Sequence, residues 1–218
     1  MGRAVAVLVV ALVVVTPWAV RNYHVFGKVV LSTNGGGSLL AGNNPSEVGE
    51  YWHDYSDGDP LIEQVKFSVE DQMDADLRAR ALATGWIMDN PGQFVGLIPK
   101  KVFRLWAPDG EAEWMYQDTP FYEQHWAWFR FVRIVNQVFY GIALLFFPLA
   151  LWKLLAMRAA PVMCIGVAVV LVFTLISMIF SGQSRFHFPA MPFVLAYAAW
   201  IVIGFAAPRT PEREGAHK

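Results

Sequence analysis

Four long apolar runs constrain this chain more than any other feature of its sequence. A helix needs roughly 20 mainly apolar residues to cross a bilayer. Residues 4–20, 132–155, 161–180 and 186–205 meet or approach that length. The first and third carry no charge, the second is interrupted by Arg133, Asn136, Gln137 and Lys153, and the fourth is uncharged when His187 is neutral. The chain is 56% hydrophobic and 16% charged, against about 45–50% and about 25% in soluble domains. Together these features predict an α-helical integral membrane protein with about four transmembrane helices. A formal charge of -1 offers no basic footprint for nucleic acid, so the expected partner is the lipid bilayer. Cys164 is the only cysteine, which excludes an intrachain disulfide and a cysteine-based zinc site.

The first run follows Met1-Gly2-Arg3 and has the length of a secretory signal. Thr16-Pro17-Trp18-Ala19 lacks a small-x-small cleavage site, however, and Trp18 suits a membrane interface, so we read an uncleaved helix. Lys and Arg near the helix ends set the orientation. Arg3, then Lys153 and Arg158, then Arg209, Arg213 and Lys218 fall on one side of a four-helix arrangement. The short loop "SGQSR" on the other side offers only Arg185. The positive-inside rule then makes both termini and the tail at 206–218 cytoplasmic, and the segment at 21–131 external.

That external segment is expected to be mainly α-helical with a short β-hairpin. "KVVLST" is β-branched like a strand, and the glycines after it can turn the chain into "SLLAG". From 60 to 88, Ile62, Val65, Val69, Met73 and Leu77 recur at helical spacing, with Asp74/Arg78 and Asp76/Arg80 four apart on the polar side. Asn90-Pro91-Gly92 ends that pattern. "GQFVGLIPKKVFRLW" predicts a second helix, interrupted near Pro99. Its cluster of Lys100, Lys101 and Arg104 fits either the headgroup layer or a solvated face. Trp114, Tyr116, Tyr122, Trp126 and Trp128 read as an aromatic belt leading into the second membrane run.

Candidate chemistry lies at the membrane mouths. Arg185 and His187 in "QSRFHFPAMPF" stand at the start of the last run, where guanidinium suits a lipid phosphate or simply snorkels to the interface. Arg21 and Asn22 admit the same two readings, and helices one and four leaving on one face would let Arg21 and Arg185 converge on a single anion. Asn34 and the glycines Gly35, Gly36 and Gly37 match neither GxxxxGK[ST] nor GxGxxG, so they make a turn or permit close backbone approach. His53, Asp54, Asp57 and Asp59 lack calcium-loop spacing, and Glu111 with Glu113 reads as a solvated pair. No Ser–His–Asp, HExxH or CxxC arrangement is visible, and no cofactor is identified. A divalent metal is left open.

Three stretches, "TPWAVRNYHVFGKVVLSTNGGGSLLAGNNP", "NPGQFVGLIPKKVFRLW" and "SRFHFPAMPF", occur in this order. In that order the chain resembles the carboxyl-terminal portion of bacterial GT-C type polytopic glycosyltransferases, such as protein O-mannosyltransferases and the aminoarabinose transferase of lipid A. The resemblance covers most of the chain. It implies a multi-pass protein of the bacterial inner membrane that takes sugar from a polyprenyl-phosphate carrier and passes it to an external acceptor. It implies that Arg21, Asn22, Asn34, Gly35, Gly36 and Gly37 lie near the cavity, and Arg185 and His187 near the carrier phosphate. In that family the catalytic carboxylate precedes the part matched here. The resemblance therefore implies a partner chain that supplies the amino-terminal membrane helices, or else a non-catalytic accessory or structural role for a retained carrier-lipid groove.

Overall fold

The computed structural model describes residues 2–46, 61, 64–65, 71–108 and 116–206. Its helices in chain order are α1 Gly2–Phe26, α2 Gly35–Gly42, α3 Gln72–Asp89, α4 Pro91–Leu105, α5 Pro120–Ala156, α6 Ile165–Ile179 and α7 Met191–Ala206. Two 3-10 segments, Pro161–Cys164 and Ser184–Ala190, lead into α6 and α7. Four candidate membrane spans result: Val5–Phe26, Pro120–Ala156, Pro161–Ile179 and Ser184–Phe205. The chain is thus a helical membrane protein by length and apolarity of its helices. It divides into two compact units, Met1–Lys100 with Ile179–Ser181, and Lys101–Met178 with Gly182–Lys218.

In the first unit, α1 continues through Pro17 to Phe26 and stops at Gly27, whose φ of 68° suits a glycine after a helix end. Arg21 and Asn22 therefore sit on its last turns, not beyond them. The expected β-hairpin is not found: among the described residues there is no strand. "KVVLST" is irregular because its carbonyls are taken by α1 side chains. Trp18 Nε1 donates to Leu31 O at 2.9 Å and Asn22 Nδ2 to Val30 O at 2.8 Å. "SLLAG" belongs to α2, which packs on α3 through Leu40, Ala75, Ala79 and Ala83, with Val65 completing the core. Alanines every fourth residue leave α3 a shallow groove, and a Cβ on Gly36 would collide with the Asp76 backbone. Leu61, Gln64 and Val65 lie outside any helix, so α3 begins later than the period from 60 suggested. The loops with His53, Asp54, Asp57 and Asp59, and with Glu111 and Glu113, lie outside the described residues.

In the second unit, α5 and α7 pack along their length around Ala143, Ala190, Val194 and Ala198, with Val170 of α6 joining the same core. α5 is much longer than its apolar run predicts. Thr119 caps it, accepting from the Tyr122 amide with Oγ1, and Pro120 opens its first turn. It bends at His125, where φ and ψ leave the helical region and ring Nδ1 donates to Phe121 O at 2.9 Å.

Candidate functional site

The last turns of α1 build a polar cluster from residues four apart. Trp18 and Asn22 share a face and hold the returning chain at Leu31 and Val30. Arg21, beside them, lies with Cζ 5.0 Å from the Trp18 ring centroid and donates from Nη1 to Asn22 Oδ1 at 2.9 Å. Asn22 is buried, whereas Arg21 is exposed. A guanidinium has five donor hydrogens in a rigid fork. One contact to Asn22 and a stack on Trp18 orient the group and leave donors facing outward. Arg21 and Asn22, each read from the sequence as a phosphate contact or an interfacial polar residue, are bonded to one another.

The glycine run is the N-terminus of α2. Helix N-termini present orphan amides and a partial positive charge, an arrangement suited to anions. Here the anion is internal. Oδ1 of Asp76, on α3, accepts from Gly36 N at 2.5 Å and Gly37 N at 3.2 Å. Asp76 is buried, and Arg80 Nη2 stands 3.9 Å from its Oδ2. Asp76 is therefore not on a solvated polar face, as the spacing with Arg80 had suggested. Asp74 does reach outward, pairing with Lys28 at 3.7 Å. Asn34 precedes α2, is exposed, and makes no side-chain cap. At the other end Asn43 Nδ2 donates to Leu39 O and Ile179 O, and Asn44 Nδ2 to Leu40 O and Ala41 O. These two buried asparagines satisfy carbonyls that a helix end leaves open.

In the second unit His187 is fully buried. Its ring stacks with Trp106 (centroids 5.6 Å apart) and Tyr140 (5.0 Å). Nδ1 lies 2.6 Å from Leu105 O, and since a carbonyl only accepts, Nδ1 carries the proton. Tyr140 donates its hydroxyl to Trp106 O at 3.0 Å. Two side chains from distant positions thus close the end of α4. Arg185, two residues earlier, is exposed, with Cζ 5.3 Å from the Phe186 ring centroid. Arg185 faces outward and His187 inward, so this pair separates into an exposed cation and a packing residue.

Lys101 is the residue that the sequence reading placed wrongly. It is neither in the headgroup layer nor on a solvated face: it is buried on the same α4 stripe as Leu97 and Leu105. Its Nζ donates to Met178 O at 3.3 Å, in the last turn of α6, where a cation complements the helix dipole. Burial lowers its pKa from 10.5 to about 8. Positions 97, 101 and 105 are four apart, so the helical period was the available signal. Gly182 passes so close to the Lys101 backbone that any Cβ would collide. Among the described residues no group of three His, Cys, Asp or Glu side chains gathers to hold a metal.

No protein-family model matches this chain, and neither does any curated protein or solved structure.

Proposed function

We propose that this chain is the carrier-lipid-binding part of a membrane glycosyltransferase, which moves a sugar from a polyprenyl-phosphate carrier to an acceptor on the external face. The observation that carries the reading is Arg21, exposed at the end of a candidate membrane span and oriented by Trp18 and Asn22. A planar guanidinium held at that level matches a lipid phosphate in charge and fork geometry. When the sugar–phosphate bond breaks, negative charge grows on the departing phosphate. A cation already oriented there stabilises that charge without reorganising. The resemblance of the three ordered stretches to GT-C enzymes supplies the donor class.

The acceptor hydroxyl or amine needs a general base. Asp76, a buried carboxylate of the first unit, is engaged by the Gly36 and Gly37 amides and serves α2. In this reading the base is another carboxylate, of this chain or of a partner. That engagement of Asp76 also favours the second reading, a non-catalytic subunit that keeps the carrier-lipid groove.

Sugar transfer from polyprenyl-phosphate donors, measured with the chain alone and with a partner that supplies further membrane helices, separates the two. Transfer restored by the partner supports the enzyme reading. For the site itself, Arg21→Ala is expected to weaken polyprenyl-phosphate binding about tenfold, the scale of one lost charge-assisted contact. Unchanged binding would remove Arg21 from the site.

A further inference from the structure

The amino-terminal half of α5 carries a feature that the proposed function does not use. An open groove of about 680 Å³ runs along one face of the helix, lined by Tyr122, Trp126, Arg130, Arg133, Ile134 and Gln137, with Val138 at its end. From Trp126 onward these positions recur at helical spacing (126, 130, 133 and 134, 137 and 138), so they share one face, and Tyr122 joins them from before the bend at His125. The volume lies within the range of small-ligand sites. The two arginines are exposed.

Depth gives this stripe its meaning. Arg133 precedes Lys153 by 20 residues, about 30 Å of helix rise and about the thickness of a bilayer's hydrocarbon core. Lys153 itself rests 4.4 Å from the Trp200 ring centroid, a cation and an aromatic suited to the opposite interface. Between them Val135, Val138, Phe139, Ile142, Leu145, Leu149 and Trp152 are exposed apolar side chains, as a lipid-facing wall requires. Arg130 and Arg133 therefore stand at the boundary, with Tyr122 and Trp126 above them and Ile134 and Val138 below. Along the helix axis the groove passes from aromatic to cationic to apolar.

We propose that this groove binds an anionic phospholipid of the surrounding bilayer. Its phosphate would sit between Arg130 and Arg133, its polar headgroup against Tyr122 and Trp126, and its acyl chain along Ile134 and Val138. Charge complementarity selects the phosphate. The apolar continuation selects a lipid over a free anion, because inorganic phosphate gains nothing from Ile134 and Val138. The site lies on α5 alone and does not depend on the carrier-lipid reading of Arg21.

The test is retention of lipid by the full chain in detergent, measured by native mass spectrometry. The probes are dioleoyl phosphatidylglycerol, dioleoyl phosphatidylcholine and inorganic phosphate. Wild type is expected to retain phosphatidylglycerol over both others. Arg130→Gln with Arg133→Gln is expected to lower that retention at least tenfold, while Arg21→Ala leaves it unchanged. Both arginines are exposed, and helical circular dichroism confirms that each variant stays folded. As a second measurement, brominated phosphatidylglycerol should quench tryptophan fluorescence less in Trp126→Phe than in wild type. Equal retention of phosphatidylcholine, equal retention of inorganic phosphate, or no effect of the double substitution would each overturn the proposal. So would a second copy of the chain crosslinked through Trp126→Cys in place of the lipid.

Discussion

Asp76 joins two elements through one oxygen. Its Oδ1 accepts from Gly36 and Gly37, and both amides are buried with it. Hydrogen bonds to a charged acceptor contribute about 1.5–3 kcal/mol each, and a buried donor left without one carries its full desolvation penalty. Asp76→Ala is therefore expected to destabilise the first unit by about 3 kcal/mol in thermal or denaturant unfolding. Asp76→Asn, which keeps an acceptor oxygen, should lose clearly less. Equal losses would show that the charge, not the acceptor, holds α2. Lys101 makes a different single-residue case, because its burial disfavours its own charge. Its folded-state pKa of about 8 lies below the unfolded value of 10.5, so between these the unfolded chain binds more protons. Stability from this group then rises as pH climbs from about 8 to about 10.5, and below about 8 the penalty is fully present. The whole swing is on the order of 3 kcal/mol. Unfolding measured from pH 7 to 11 should show this slope in wild type and lose it in Lys101→Met.

At the scale of elements, α5 ends in a conformation its sequence does not favour. Arg158 has φ of 49°, with its amide bonded to Leu155 O and the Ala159 amide bonded to Leu154 O. That is a Schellman ending with arginine where glycine is usual. A side chain in the left-handed region costs about 1–2 kcal/mol, which glycine avoids. Arg158→Gly is expected to raise stability by about 1 kcal/mol, seen as a higher unfolding temperature. The elements also show what a sequence can and cannot disclose. The four membrane helices were legible because apolarity over 20 residues depends on nothing elsewhere in the chain. The hairpin was misread because strand-like "KVVLST" and turn-like glycines express local preference only. Trp18 and Asn22 take the carbonyls of the first, and Asp76, some 40 residues away, takes the amides of the second. Of the candidate site, Arg21 and Asn22 were legible as adjacent polar residues at a membrane boundary. The burial of His187 and Lys101 depends on Trp106, Tyr140 and Met178, distant partners to which a local pattern does not point.

For the whole molecule, the decisive property is how its long helices meet the bilayer. α5 has 37 residues, about 55 Å of rise, while the hydrocarbon core is about 30 Å thick. Such a helix either crosses, with Arg130 at the edge of the hydrocarbon core and the turns around the bend at His125 in the headgroup layer beyond it, or lies along the surface. Lying along it would bring Arg130, Arg133 and Lys153 to a single interface, and the apolar side chains exposed around the helix from Val132 to Leu155 would then face water in part. Crossing buries them all in lipid, so crossing is favoured by the area that leaves water. Asp118 before α5 and Ala160 after it are both exposed and report the outcome. In a Cys164→Ser background, Asp118→Cys and Ala160→Cys are expected to react with a membrane-impermeant thiol reagent from opposite sides. If the orientation expected from the positive-inside rule holds, Asp118→Cys should label in intact cells and Ala160→Cys only after permeabilisation. Labelling of both from one side would place α5 along the surface and remove the depth argument for its arginines. The reverse pattern would keep α5 as a crossing helix and invert the orientation.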